Sequence, residues 1–442
     1  MRRLAIVEYV MSAGGLERVL RGLAGAFLEI PEARNWDITF LLARYNSAYH
    51  RCEWPAELTG PNLRVEWLGE GSVASRFVDP LARGQGLWGL PFSKPGGFVV
   101  AQWARSAGPE AWRAWLGDPR ALIARASARF DLLCFPYPVA LGVPDVAVPV
   151  VTTPQDFNFK HLLAENDPWR RREEKVTRPW LARSDRILLT TESVREELRS
   201  FYPEFAEKAG VVRLGVNVQA ATPDRAALES FRQSRGIPPE FVLMTGWVME
   251  HKNHLAVIAA LVRLRQRGRS IPVVFVGPNA IHLRESREVG FPQGYAGRVR
   301  TALREAGFEH GRDFHVLGFV SDEDVRSLQA LATVFVLPSL YEGFGLPSLE
   351  ALQAGCPTIV SSIPPLDEQN RLLGGVLRTF DPHDPAALAD QIAWVLDHRD
   401  EARAEARRAG ERVTEVYDWR KTARAYLTHF EEVIEGRPLS RR

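Results

Sequence analysis

Cysteine is scarce in this chain. Three residues in 442, Cys52, Cys134 and Cys356, stand too far apart to form a metal-ligand spacing. An odd, scattered set points to buried thiols in a reducing compartment. No Gly-Lys dipeptide occurs, which excludes a Walker A loop, and no Gly-x-Ser-x-Gly elbow is present, which argues against the common α/β-hydrolases. Net charge is almost absent: 56 Lys and Arg against 54 Asp and Glu leave +2. Global charge therefore selects no polyanionic partner, and no nucleic acid is expected. The arginine clusters at 170–172 and 407–408 read as solvated helix faces. No apolar run approaches the ~20 residues that span a bilayer. The opening "MRRLAIVEYV" is broken by Glu8 and runs into a glycine loop without a small-residue cleavage site, so it reads as a core strand rather than a signal peptide. The expected location is cytoplasmic, with peripheral attachment at the inner membrane face as the alternative.

What is present is α/β alternation. In the first half, "LAIVEYV", "WDITFLLA", "FDLLCFP", "VPVVTTP" and "DRILLTT" read as strands, and "GLERVLRGLAGAFL" and "ESVREELRSFY" as helices. A second series runs through "FVLMTGWV", "HLAVIAALVRLRQRG", "IPVVFVG", "GRVRTALREAG", "DFHVLGFV", "TVFVLPS" and "PTIVSS". At 442 residues the chain exceeds what one core usually serves, and two such series imply two Rossmann-like, doubly wound domains facing a central cleft. We expect an N-terminal domain over 1–218, a C-terminal domain over 219–412, and a helix over 413–442. A Gly/Pro/Trp-rich stretch at about 69–119, with Trp88, Trp103, Trp112 and Trp115, looks like an insertion. Ligands in such sheets sit beyond the carboxyl ends of the strands.

Three patterns are set aside. "GQGLWG" at 84–89 spells a dinucleotide fingerprint but follows no convincing strand. "DED" at 322–324 resembles a metal motif, yet Ser321 can cap the helix that follows, where acidic residues suit the positive end. His251 and His254 stand three apart with no cysteine near them, and they are not read as a zinc pair.

The stretch "VFVLPSLYEGFGLPSLEALQAG" carries the chemistry. A buried strand leads into a turn containing Gly343 and Gly345, then a helix with Pro347 in its first turn, where a missing N–H costs nothing. Gly355 suits the helix end. A glycine turn feeding a helix N-terminus is an anion site, fit for a diphosphate. Glu350, one turn into the helix, can accept from both hydroxyls of a ribose. Glu342 points to whatever lies beyond the phosphates. A solvated glutamate pair is the plainer alternative.

This stretch closely resembles glycosyltransferase family 4, the retaining nucleotide-sugar enzymes of GT-B fold, whose mark is E-G-F-G-L-P-x-x-E-A. The match over 342–351 is complete and continues through "GCPTIVSS". The resemblance covers nearly the whole chain, strongly in the second half. It implies that Gly343, Phe344, Gly345, Leu346 and Glu350 contact the donor. "GWVMEHKN" at 246–253 is similar to the family's strand-end loop, which adds Gly246, Trp247, Lys252 and Asn253 to the donor site, with Lys252 on the diphosphate. Many members have arginine where Trp247 stands. "VLGFVSDEDV", with Phe319, resembles the loop that meets the base. "SAGGLERV" resembles the double-glycine loop, implying Gly14 and Gly15 on the donor. "TTPQDFNF" holds the place of a His-Asp loop, with Gln155 where histidine is common and Asp156 as an acceptor-side or capping group. "YDWRKTARAYL" is similar to the helix that crosses back to the first domain.

The resemblance implies a retaining, metal-independent transferase with no resident cofactor and a nucleotide diphosphate sugar as donor. Glu342, Lys252 and Asp156 would be its catalytic groups and a glycan or lipid-linked molecule its acceptor, in cell-surface polysaccharide or glycoconjugate synthesis. The rival from another class is a non-catalytic GT-B protein that binds a glycan or partners an active transferase.

Overall fold

The computed structural model describes residues 1–8, 15–43, 54–68, 119–138, 142–216, 224–277, 279–284 and 294–436. The stretch 69–118, with its tryptophans and the 84–89 glycine pattern, lies outside them, as do Cys52 and Gly14. Contacts group residues 1–190, 194–215 and 419–442 into one compact unit and residues 191–193 and 216–418 into another.

The first unit is built on seven parallel strands: β1 (Arg2–Glu8), β2 (Trp36–Ala43), β3 (Leu63–Leu68), β4 (Leu132–Phe135), β5 (Val150–Thr152), β6 (Arg186–Leu189) and β7 (Ala209–Val211). Their order is β3-β2-β1-β4-β5-β6-β7. Every residue of β4, β5 and β6 is buried, as expected of parallel strands covered on both faces, and apart from Thr152 and Arg186 they are apolar. The helix Trp419–Ile434 belongs to this unit. Gly22 and Gly215 lack side chains where the Trp419 ring sits, and a Cβ on either would overlap that ring. Along the helix, the Thr422 hydroxyl donates to the Arg213 carbonyl at 2.8 Å, and the Tyr426 hydroxyl meets the Thr153 hydroxyl at 3.1 Å.

The second unit has six parallel strands: β8 (Val242–Thr245), β9 (Val273–Val276), β10 (Phe314–Gly318), β11 (Val334–Leu337), β12 (Thr358–Ser361) and β13 (Arg378–Phe380). Their order, β10-β9-β8-β11-β12-β13, reverses direction between β8 and β11. The carboxyl ends of those two central strands flank the crevice where doubly wound sheets bind ligands. Ser321 caps the helix Asp322–Leu331 by accepting from the Asp324 amide at 3.0 Å, and Asp324 pairs with Arg235 at 2.8 Å, so the "DED" run serves a helix start. Cys134 and Cys356 are buried and free; burial raises both thiols, Cys356 to about 12. No helix among the described residues is long and apolar enough to cross a membrane.

Candidate active site

Two loops emerge at the reversal point of the second sheet. After β8 the chain passes Gly246, whose φ of +126° only glycine adopts without strain. Gly277, at the end of neighbouring β9, has no room for a side chain: a Cβ there would overlap the Gly246 carbonyl oxygen. The Gly277 amide in turn donates to the Gly318 carbonyl at 2.8 Å, so the ends of β8, β9 and β10 meet backbone to backbone. Asn279 then grips the β8 loop from the side. Its Oδ1 accepts from the Val248 amide at 2.7 Å, and its Nδ2 donates to the Val248 carbonyl at 3.2 Å. Trp247 and Phe319, the residues following Gly246 and Gly318, are 52% and 66% exposed.

A short 3-10 turn, Glu250–Lys252, brings Lys252 inward. Its Nζ donates to Glu342 Oε1 at 2.6 Å, and the Ser339 hydroxyl donates to the same oxygen at 2.6 Å. The pair is largely enclosed, with side chains 17% and 11% exposed. The Leu340 amide donates to the His251 carbonyl at 2.7 Å and ties the two loops together. Burial, then the Lys252 charge, push His251 down to about 4, so it sits neutral beside the ammonium. Asn253 takes a left-handed conformation at φ +56°, and its side chain donates to the Pro382 carbonyl at 2.9 Å, which makes it a loop anchor.

The turn after β11 is held from beneath. Gly345 has φ +86° and precedes the helix Leu346–Gln353. A Cβ there would come 2.5 Å from Leu366. Gln369, on the helix Pro364–Leu372 and 1% exposed, donates from Nε2 to the Phe344 carbonyl and, at 3.4 Å, to that of Gly345. Its Oε1 accepts from the Ser348 hydroxyl at 2.9 Å. The Phe344 ring packs edge-on against Tyr417 in the core. Leu346 and Glu350 are half-buried on the helix, and Gly343 is buried in the turn, its carbonyl accepting from Thr191 at 3.3 Å.

Lys252 and Glu342 are thus brought into direct contact, with Gly343, Gly345 and Glu350 on the same strand-turn-helix. The first unit holds the others. Gly15 starts the helix Gly15–Glu29. Asp156 accepts from the Asn158 amide at 3.0 Å and lines a cavity beyond β4 and β5 with Tyr137 and Glu173. Burial and then the Asp156 charge raise the Tyr137 hydroxyl to about 12. Gln155 donates to the Pro136 carbonyl at 2.8 Å, which gives it an anchoring task. Sequence reasoning missed Ser339, Asn279 and Gln369. Ser339 was findable, as a polar residue closing a buried strand; for Gln369 no local signal exists.

The chain matches two family models in succession: "Glycosyltransferase Family 4" over residues 13–220 and "Glycosyl transferases group 1" over 229–413. Among curated proteins, the serotype-specific mannosyltransferase WbdA of Escherichia coli is 29% identical over 208 residues, 46% of this chain and 23% of that protein. A glycogen synthase of Mycobacterium tuberculosis is 29% identical over 255 residues, 58% of this chain and 56% of that one. The matched stretches thus span about a quarter to about half the length of these relatives. Anabaena HepE, solved in complex with UDP and glucose, shares the fold at a TM-score of 0.65 and 14% identity, covering 98% of this chain and all of that one. Two glycosyltransferase family models thus match most of the chain in succession, and its two-unit fold is shared with solved structures such as HepE.

Proposed function

We propose that the protein transfers a hexosyl group from a nucleotide diphosphate sugar to a glycan or lipid-linked acceptor, with retention at the anomeric carbon, as a family 4 enzyme of cell-surface polysaccharide or glycoconjugate synthesis. The observation that carries this reading is the Lys252–Glu342 pair at the reversal point of the second sheet, beside a glycine turn that opens a helix. An enclosed ammonium and amides at a helix start are suited to the charge that grows on a departing diphosphate. That arrangement supplies leaving-group stabilisation from protein groups, so the proposed reaction is metal-independent. Glu342 turns to the sugar hydroxyls and Glu350 to the ribose. Asp156 serves the acceptor side from its cavity in the first unit. The proposed place of work is the cytoplasm, with peripheral contact at the inner membrane face.

The test is transfer from a panel of nucleotide sugars, with the anomeric configuration of the product read by NMR. Lys252→Ala should cost about 10²–10³-fold in turnover, the scale of one lost transition-state donor, while circular dichroism shows an intact fold. Turnover like wild type in that variant, or inversion in the product, would refute the reading. Activity should survive EDTA. A second reading, a non-catalytic binding subunit, draws on the anchored Gln155 and the exposed Trp247. It predicts nucleotide binding by calorimetry with no turnover across the whole panel.

A further inference from the structure

We infer that Gln369, buried beneath the glycine turn, is a positioning residue that aims the turn's amides at the donor's phosphates. This rests on the donor-binding reading above. In a trans peptide the carbonyl of one residue and the N–H of the next point in opposite directions. The Phe344 carbonyl shares its peptide plane with the Gly345 N–H, and the Gly345 carbonyl shares its plane with the Leu346 N–H. Gln369 Nε2 draws both carbonyls inward. The Ser348 hydroxyl lies 2.6 Å from the Gly345 carbonyl and 2.9 Å from Gln369 Oε1, and its single proton is shared between these two acceptors, which ties the carbonyl and the Gln369 amide to one group. With both carbonyls held toward the core, the Gly345 and Leu346 amides turn away from it, at the start of the helix Leu346–Gln353.

The left-handed φ of Gly345 permits this peptide orientation, and close contact with Leu366 leaves no space for an alternative residue. Gln369 suits the task because one amide group provides a donor for the carbonyls and an acceptor for Ser348. A carboxylate of the same shape could not donate, and an apolar side chain could do neither. Gln369 itself touches no donor atom; it acts through the peptide planes above it.

The experiment compares, by calorimetry, the affinity of a nucleoside with that of its diphosphate, in the wild type, Gln369→Met, Gln369→Glu and Ser348→Ala. The base is the one whose diphosphate binds the wild type. Both Gln369 variants should weaken diphosphate binding about tenfold or more and leave nucleoside binding unchanged. Ser348→Ala, which keeps the Gln369 donor, should weaken it by about threefold. A folded Gln369→Met with an unchanged diphosphate-to-nucleoside ratio would overturn the inference. So would equal losses for both ligands, which mark general loosening. If Gln369→Met fails to fold, a Ser348→Ala ratio equal to wild type overturns it instead. Failure of the wild type to bind any nucleoside diphosphate would strike the donor reading itself.

Discussion

Glu342 and Lys252 face a competition that can be measured. Lys252 donates a hydrogen bond to Glu342 at 2.6 Å in an enclosed site. A diphosphate arriving at the same ammonium must loosen that bond and bring its own negative charge toward the carboxylate. Glu342→Gln removes the charge and keeps the shape, including an oxygen to accept from Ser339. Hydrogen bonds to charged groups contribute about 1.5–3 kcal/mol. At 1.4 kcal/mol per tenfold, the variant should bind a free nucleoside diphosphate about 10–100-fold more tightly than wild type. Using the diphosphate without its sugar separates this effect from any contact Glu342 makes to the sugar. Turnover with the full donor should fall in the same variant. The assay is calorimetry with UDP, GDP, ADP and TDP, read for whichever binds the wild type. Unchanged or weaker diphosphate binding in Glu342→Gln would show that Lys252 does not change partners, and the reasoning would fail.

Two further outcomes follow from the second unit. Gly277→Ala places a Cβ against the Gly246 carbonyl oxygen, a backbone atom that cannot swing aside, so urea melts should show a loss of about 3 kcal/mol; stability equal to wild type would contradict the strand-end packing. His254 is 2% exposed between Phe275 and Tyr295, and burial, with smaller contributions from Lys252 and His251, pushes it down to about 3. Below pH ~6.5 the unfolded chain takes up a proton that folded His254 refuses. This share of stability is therefore complete above that pH and is lost progressively toward pH 3. It amounts to about 2 kcal/mol between pH 7 and 5 at 1.36 kcal/mol per unit. Melts of His254→Phe at the two pH values should differ less than those of wild type by about that amount; an equal difference would refute the assignment.

Where a structure was set by its own residues, it could be read from them. The buried run "VFVL" became β11, and the capping serine at 321 began its helix. Gly345, expected in a turn, sits in the left-handed region that its place between strand and helix demands. β7 and β13, "AGV" and "RTF", lack the run of β-branched residues that marked the equally short β5, "VVT". β3, "LRVEWL", alternates only weakly and is mostly half-buried, so it too escaped notice. The site's supports were hidden for a different reason. Gln369 reaches a carbonyl 25 residues earlier, and Asn279 holds a loop 31 residues away. Such pairings exist only once the strands have been ordered. Asn253 shows the converse: a motif position can have its side chain committed to a backbone carbonyl, here that of Pro382.

The helix Trp419–Ile434 completes the first unit after the chain has already built the second. As synthesis proceeds, the second unit's strands are all available while Gly22 and Gly215 still wait for the Trp419 ring. The second unit can therefore mature first, and the earlier-made unit closes last. Until then the faces destined for Trp419, Tyr426 and Phe430 stand open to water, and the nascent first unit is the one exposed to misassociation. A stop codon near residue 418 would spare the domain beside it in sequence and damage the one that began the chain.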